Sequence, residues 1–301
     1  MRLRFSRPAL SRAAEPVVKL LIRVAGWSAI AILAAIAVYL FLGGSRALNE
    51  IGLVEMVTGE FWFPTSKEAQ FGFLPSSVGS IWVTLVGLSM SVPLGVATAV
   101  YLSEFAGKRS KEVAKSIVEF MAAIPSVVIG LIGIALLVQN VRVWFGLDTG
   151  LTAFTAGLMV GILALPTIVS ISEDALHAVP YDLRLGSAAL GNTRWQTAYK
   201  VVIPAASSGI FAAIILGMGR AIGETMVVLM LSGNAGTIPL SPFEPVRTLP
   251  GTIAKELGEV VRGGLHYSAL FVMGLVLFVV TFLINLAADV VLERQRRRWR
   301  R

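Results

Sequence analysis

Apolar residues gather in six long runs, and the stretches between them carry nearly all of the charge. The runs cover residues 24–42, 78–102, 117–138, 151–171, 207–231 and 268–291. Each is close to the ~20 residues that cross a bilayer core as a helix at ~1.5 Å per residue. Within them the polar residues are too sparse to mark a wet face, so each run is expected to be surrounded by lipid or by other spans. The pattern predicts an all-α polytopic membrane protein with six transmembrane helices and both ends of the chain on one side. Three prolines, Pro93, Pro125 and Pro166, fall inside the second, third and fourth runs, where each removes a backbone hydrogen bond and permits a kink.

Between the runs, two stretches have helical periodicity of their own. Residues 180–204 read as a helix, a break and a second helix: Asp182 as a cap of the first, Leu183 to Leu190 as its body, Gly191 as its end, Asn192 or Thr193 as the cap of the second, and Pro204 leading into the fifth run. Residues 252–261 place Ile253, Leu257, Val260 and Val261 on one face and Lys255, Glu256 and Glu259 opposite, as expected of a short amphipathic helix at the membrane surface. It has two readings, a surface helix packed on the bundle or a contact for an extracytoplasmic partner. The loop 43–76 carries Phe61, Trp62, Phe63, Phe71 and Phe73, which suits an interfacial aromatic belt and equally a docking surface.

Composition agrees: 55% of the 301 residues are hydrophobic, 15% are charged and mean hydropathy is +0.77. Lysine and arginine then set the orientation. Nineteen lie in the leader 1–23, the loop near 104–116, the loop near 177–204 and the tail 292–301; the connections on the other side hold six. By the positive-inside rule both termini are cytoplasmic and loops 43–76 and 232–265 are periplasmic. The net charge of +8 is thus an orientation and lipid-contact signal, with no nucleic-acid partner expected. The long basic leader and the length of the first run predict a retained span and not a cleaved signal peptide. No cysteine is present, which excludes thiol chemistry and disulfides.

The remaining cation is Arg220, in the middle of the fifth run, with Glu224 four residues on. An ionised side chain at that depth costs roughly 2.5–3.5 kcal/mol on insertion scales, so it faces a bundle interior or a polar path. On a continuous helix the two would share a face and partner each other. They read either as a solute pathway, with Thr225 and Ser232 as further hydrogen-bond donors toward the outer end, or as an ion pair locking a subunit interface. Gly219 and Gly223 form a small-xxx-small pair beside the arginine, with Gly217 adding to it, which allows close approach of another helix. A membrane enzyme would need clustered catalytic groups. The two histidines, His177 and His266, sit near span ends on opposite sides and read as interfacial and outer-surface residues, not metal ligands.

The stretch Ser187-Ala188-Ala189-Leu190-Gly191-Asn192-Thr193-Arg194-Trp195, ending Val201-Val202-Ile203-Pro204, resembles the coupling loop of bacterial ABC-importer permeases. The segments Phe71 to Pro75, Ala123 to Ser126, Arg220 to Met226, Ser232 to Asn234, Pro245 to Leu249 and His266 to Leu270 are together similar to the permease subunit of the phosphate-specific importer, the PstC type, over residues 70–290. The family's loop begins with a glutamate, where this chain has Leu185, Gly186 and Ser187. The resemblance implies a type I importer permease in the bacterial inner membrane. Such a subunit has no catalytic site, metal or bound cofactor, and ATP is hydrolysed by a separate ATPase dimer. It also implies a second permease and a periplasmic phosphate-binding protein; on the solute-pathway reading of the residues, phosphate is then expected to meet Arg220, with Glu224 neutralising it in the empty state. The helix from Arg184 to Gly191, including Ser187, Ala188 and Ala189, would seat in the ATPase, with Arg194 and Trp195 at its edge, and Trp195 reads equally as an interfacial anchor. Gly107-Lys108 lacks the upstream glycine and the following Ser or Thr of a phosphate-binding loop, in keeping with this. The alternatives are a permease for sulfate, molybdate or tungstate, and an ion-coupled secondary transporter.

Overall fold

The computed structural model describes residues 9–299, with side chains described for residues 15–287 and Val290. The start of the basic leader and the charged side chains of the tail lie outside the described residues. Among the described residues, six helical segments are long and apolar enough to cross a membrane: Glu15–Glu50, Leu74–Phe105, Ser126–Phe145, Ala153–His177, Arg194–Ile222 and Leu265–Ala287. Helices are the natural outcome, because a lipid-exposed backbone must satisfy its own hydrogen bonds.

Helix α1 (Ala9–Glu50) leads to α2 (Leu53–Thr58) and a small antiparallel hairpin, β1 (Trp62–Phe63) with β2 (Gln70–Phe71), in which Trp62 faces Phe71. The second span is α3 (Leu74–Val100), extended by a π-helical turn at Tyr101–Phe105. Amphipathic α4 (Lys108–Ala123) precedes the third span, built from α5 (Ser126–Ile132), a π-helical stretch and α6 (Gln139–Phe145). Next come α7 (Ala153–His177), α8 (Tyr181–Ala189), and α9 (Arg194–Thr197) running through a π turn into α10 (Ile203–Ile222). The chain closes with α11 (Met226–Leu231), α12 (Leu249–Glu256) and α13 (Leu265–Trp299).

The centre of the bundle is α3 against α7, with α10 packed on α7. Glycines let the first pair approach: a Cβ at Gly161 would lie 2.7 Å from the Gly87 carbonyl oxygen, so the backbones themselves are in contact. Three apolar clusters stack along the bundle. One at the hairpin end joins Met56, Trp62, Phe71, Phe73, Leu270 and Met273; a middle one joins Val83, Met159, Leu163, Val228 and Leu231; a third at the α8 end joins Ala99, Leu176, Val202 and Ile210. The first span stands apart, as its mostly exposed surface shows, and meets α13 where Gly43 and Gly44 abut Phe271 and Val272.

Four sequence expectations need correction. The third span starts at Ser126, with Pro125 as its N-cap and not an internal kink, because 108–123 is a separate helix whose lysines bond elsewhere. Trp62, Phe71 and Phe73 are buried in the hairpin-end core, and only Phe61 and Phe63 remain on the surface. The helix read at 252–261 spans Leu249–Glu256, started by Pro250 and a Thr248 cap, and it turns Glu256 inward while Val261 is exposed. His266, read as an outer-surface residue, is only partly exposed, with its Nε2 2.9 Å from Glu256 Oε2.

Candidate functional site

The fifth apolar run is not one helix. α10 ends at Ile222, Gly223 caps it, and the chain restarts as α11 at Met226. Glycine is a poor helix former, and the Glu224 carboxylate offers an alternative partner for the backbone. Glu224 Oε1 accepts from the amides of Thr225 (3.1 Å) and Val227 (3.3 Å), so it serves the start of α11. It lines a narrow niche with Ser80, Thr84 and Thr248. The pairing expected from a four-residue spacing is therefore absent: Arg220, in the last turn of α10, makes no ion pair or side-chain hydrogen bond among the described residues and is exposed on the chain's surface.

The neighbouring small residues divide into two kinds. Gly217 is buried, and a Cβ there would stand 2.5 Å from Ile168 Cγ1, so it serves packing of α10 on α7 within the chain. At Gly219 nothing lies within 4 Å, and at Gly223 the only near atom is the Gly219 carbonyl oxygen at 3.5 Å. Arg220, Gly219 and Gly223 thus share an open surface at the break. Thr225 Oγ1 donates across the break to the Gly223 carbonyl at 3.2 Å. Ser232 differs from its expected place on a path: it is fully buried and its Oγ has no partner.

At the other end, α8, a turn and α9 form the expected helix-turn-helix. Gly191 adopts φ +80°, a left-handed conformation that ends α8 at little cost for glycine. Thr193 caps α9 in a reciprocal box with Gln196, whereas Asp182 sits inside the first turn of α8 and makes no cap. Ser187 Oγ and Thr197 Oγ1 meet at 2.9 Å and Asn192 Nδ2 donates to Ser187, so the two arms are tied internally. Ala188, Ala189, Gly191 and Leu190, the last 84% exposed, form the outward tip. Trp195 is exposed and tilts against Phe105. Arg184 turns inward onto the Glu104 carboxylate, whereas Arg194 stays exposed and donates to the Glu104 backbone carbonyl. Pro204 does not break the helix: it sits in the first turn of α10, just after a π turn at Ala198–Val202 in which Ile203 N–H donates to the Ala198 carbonyl.

A model of the family described as "Binding-protein-dependent transport system inner membrane component" matches residues 91–301, more than half of the chain and including both regions just described. The chain belongs to this family. Among curated relatives, the permease is 38% identical over 271 residues to a probable ABC transporter permease protein, YqgH, of Bacillus subtilis, covering 89% of this chain and 88% of that one. It is 33% identical over 291 residues to the phosphate transport system permease protein PstC of Mesorhizobium japonicum, covering 90% and 88%. Among solved structures, a bacterial alginate ABC transporter superposes with a TM-score of 0.63 at 18% identity, covering 94% of this chain and 96% of that one. The MetNI methionine ABC transporter gives 0.55 at 21% identity over 74% and 94%. These similarities and the six apolar helices establish an ABC-importer permease fold and a membrane transport subunit.

The permease also holds charged groups that sequence spacing missed. Glu173, buried in α7, receives Lys111 and Lys115 from α4, each at 2.7 Å. The hydrogen bond to Glu173 holds the Lys115 ammonium above its ordinary value of 10.5. At the hairpin end Glu256 collects Trp62 Nε1 (2.9 Å), His266 Nε2 (2.9 Å) and Arg247 (3.4 Å). The only signal in the sequence was charge next to apolar runs, since each partner lies on a different element.

Proposed function

We propose that this permease is one transmembrane subunit of an ATP-driven importer of inorganic phosphate, lining half of the path and coupling through α8 and α9 to a separate ATPase dimer. A second, related permease completes the path, and an extracytoplasmic phosphate-binding protein delivers the ion. Both termini face the cytoplasm, as the distribution of lysine and arginine indicates. The observation that carries the reading is Arg220: a guanidinium with no protein partner among the described residues, beside two open glycines, at the break in a membrane-spanning segment. A planar guanidinium suits bidentate binding of a tetrahedral oxyanion. Glu224, held by its own half-helix, keeps a negative charge nearby that opposes permanent retention of the anion. Relatives described as phosphate transport permeases support phosphate over other oxyanions.

The test is uptake of radiolabelled phosphate into proteoliposomes holding the full complex, with ATP on the ATPase side and excess sulfate or molybdate as competitor. ATP-dependent uptake that resists both competitors is expected. Uptake of another oxyanion in preference to phosphate would refute the substrate, and uptake without ATP would refute the energy source.

A further inference from the structure

At the α8 end of the bundle the Glu104 carboxylate pairs with Arg184 of α8, and the Glu104 backbone carbonyl with Arg194 of the fifth span. Glu104 lies in the π-helical extension of the second span, and its side chain is only 10% exposed. Arg184 of α8 reaches it with two nitrogens, Nη2 to Oε1 at 2.7 Å and Nε to Oε2 at 3.3 Å. The same guanidinium donates to the carbonyls of Leu176 (2.9 Å) and Val179 (2.6 Å), where the fourth span ends. From the fifth span, Arg194 Nη2 donates to the Glu104 carbonyl oxygen at 2.9 Å, and Ser103 Oγ donates to Glu104 Oε1 at 3.0 Å.

The bonds inside the helix-turn-helix, Ser187 with Thr197 and Thr193 with Gln196, make the loop move as a unit. Its stems run into the fourth and fifth spans through the chain itself. The second span has no such covalent link, because α4 and the whole third span intervene. The second span already packs on the fourth through α3 and α7, and the Glu104 fork adds a direct polar link from it to α8. A fork of two parallel bonds fixes direction as well as distance, which a single ammonium contact does not.

We propose that Glu104 is a positioning residue for transport: through Arg184 it gears the second span to the coupling helix, so that displacement of α8 by the ATPase moves the second span together with the fourth and fifth. The proposal rests on the reading of α8 and α9 as the coupling loop.

Phosphate transported per ATP hydrolysed, measured in proteoliposomes holding the full complex, tests the gear. Glu104→Gln and Arg184→Lys are each expected to lower that ratio at least fivefold while ATP hydrolysis stays within about twofold of the unaltered complex. Lys115→Ala, which weakens a different ion pair at the same end, is expected to leave the ratio unchanged. If Glu104→Gln does not assemble, Arg184→Lys, which keeps the charge, decides. An unchanged ratio in an assembled variant overturns the gear, and so does an equal fall in Lys115→Ala. Absence of ATP-driven phosphate uptake by the unaltered complex would instead sink the importer reading itself.

Discussion

Arg220 and Glu224 show how far a residue's role depends on its backbone. Their spacing marks a pair only if the helix continues, and it stops at Gly223. Glu224 then serves the amides of Thr225 and Val227, and Arg220 is left with its charge unanswered inside the chain. Glu173 is the opposite case, a buried carboxylate answered twice. Replacing both Lys111 and Lys115 with alanine leaves that charge without a partner, at a cost of about 3 kcal/mol. Thermal unfolding in detergent should fall accordingly, and Glu173→Gln added to the double variant should recover part of the loss. Because the Lys115 pKa is raised in the folded chain, its share of the stability is complete below its ordinary value of 10.5 and is lost only as pH rises through the raised value. Unfolding between pH 6 and 9 is therefore expected to show no step from this pair. The existence of intramembrane charge was legible from Arg220 alone, whereas Glu104, Glu173 and Glu256 were not, because their partners lie on other elements and no local spacing records them.

At the scale of elements, the runs of apolar residues located every span, and they misplaced ends where a different force set the boundary. Pro125 starts the third span because the preceding amphipathic helix is anchored by its lysines to α7. The fifth span begins at Arg194, thirteen residues before its apolar run, since the π turn carries the helix through Pro204. The helix-turn-helix was readable because its punctuation is local: Gly191 in the left-handed region and the Thr193 box require only neighbouring residues. The glycines of α10 were readable as a group but not by role. Gly217 faces Ile168, and Gly217→Val should overpack that contact, lowering the stability of the isolated permease by about 1–3 kcal/mol. Gly219→Val meets nothing in the chain, so it should leave that stability nearly unchanged and weaken co-purification with the second permease. Comparing melting temperature and complex yield for the two variants checks the division.

For the whole molecule, an open face at a helix break lies in one half of the bundle and an outward helix-turn-helix at its other end, joined by α7, α10 and the second span. On the proposed reading the path is completed by a second permease, which would account for the absence of an ion pair to Arg220 among the described residues. The centre of the bundle is the close packing of α3 on α7, with one apolar cluster between them. The role of Arg220 is the claim on which the transport reading turns. Its most direct test is phosphate uptake by a fully assembled complex carrying Arg220→Gln, with assembly verified by co-purification of all subunits. Loss of charge-assisted bonds worth roughly 1.5–3 kcal/mol corresponds to about a 10- to 150-fold fall in uptake at limiting phosphate, and that fall is the expected result. Near-normal uptake by the assembled variant would contradict it and leave Arg220 a structural residue of the subunit interface.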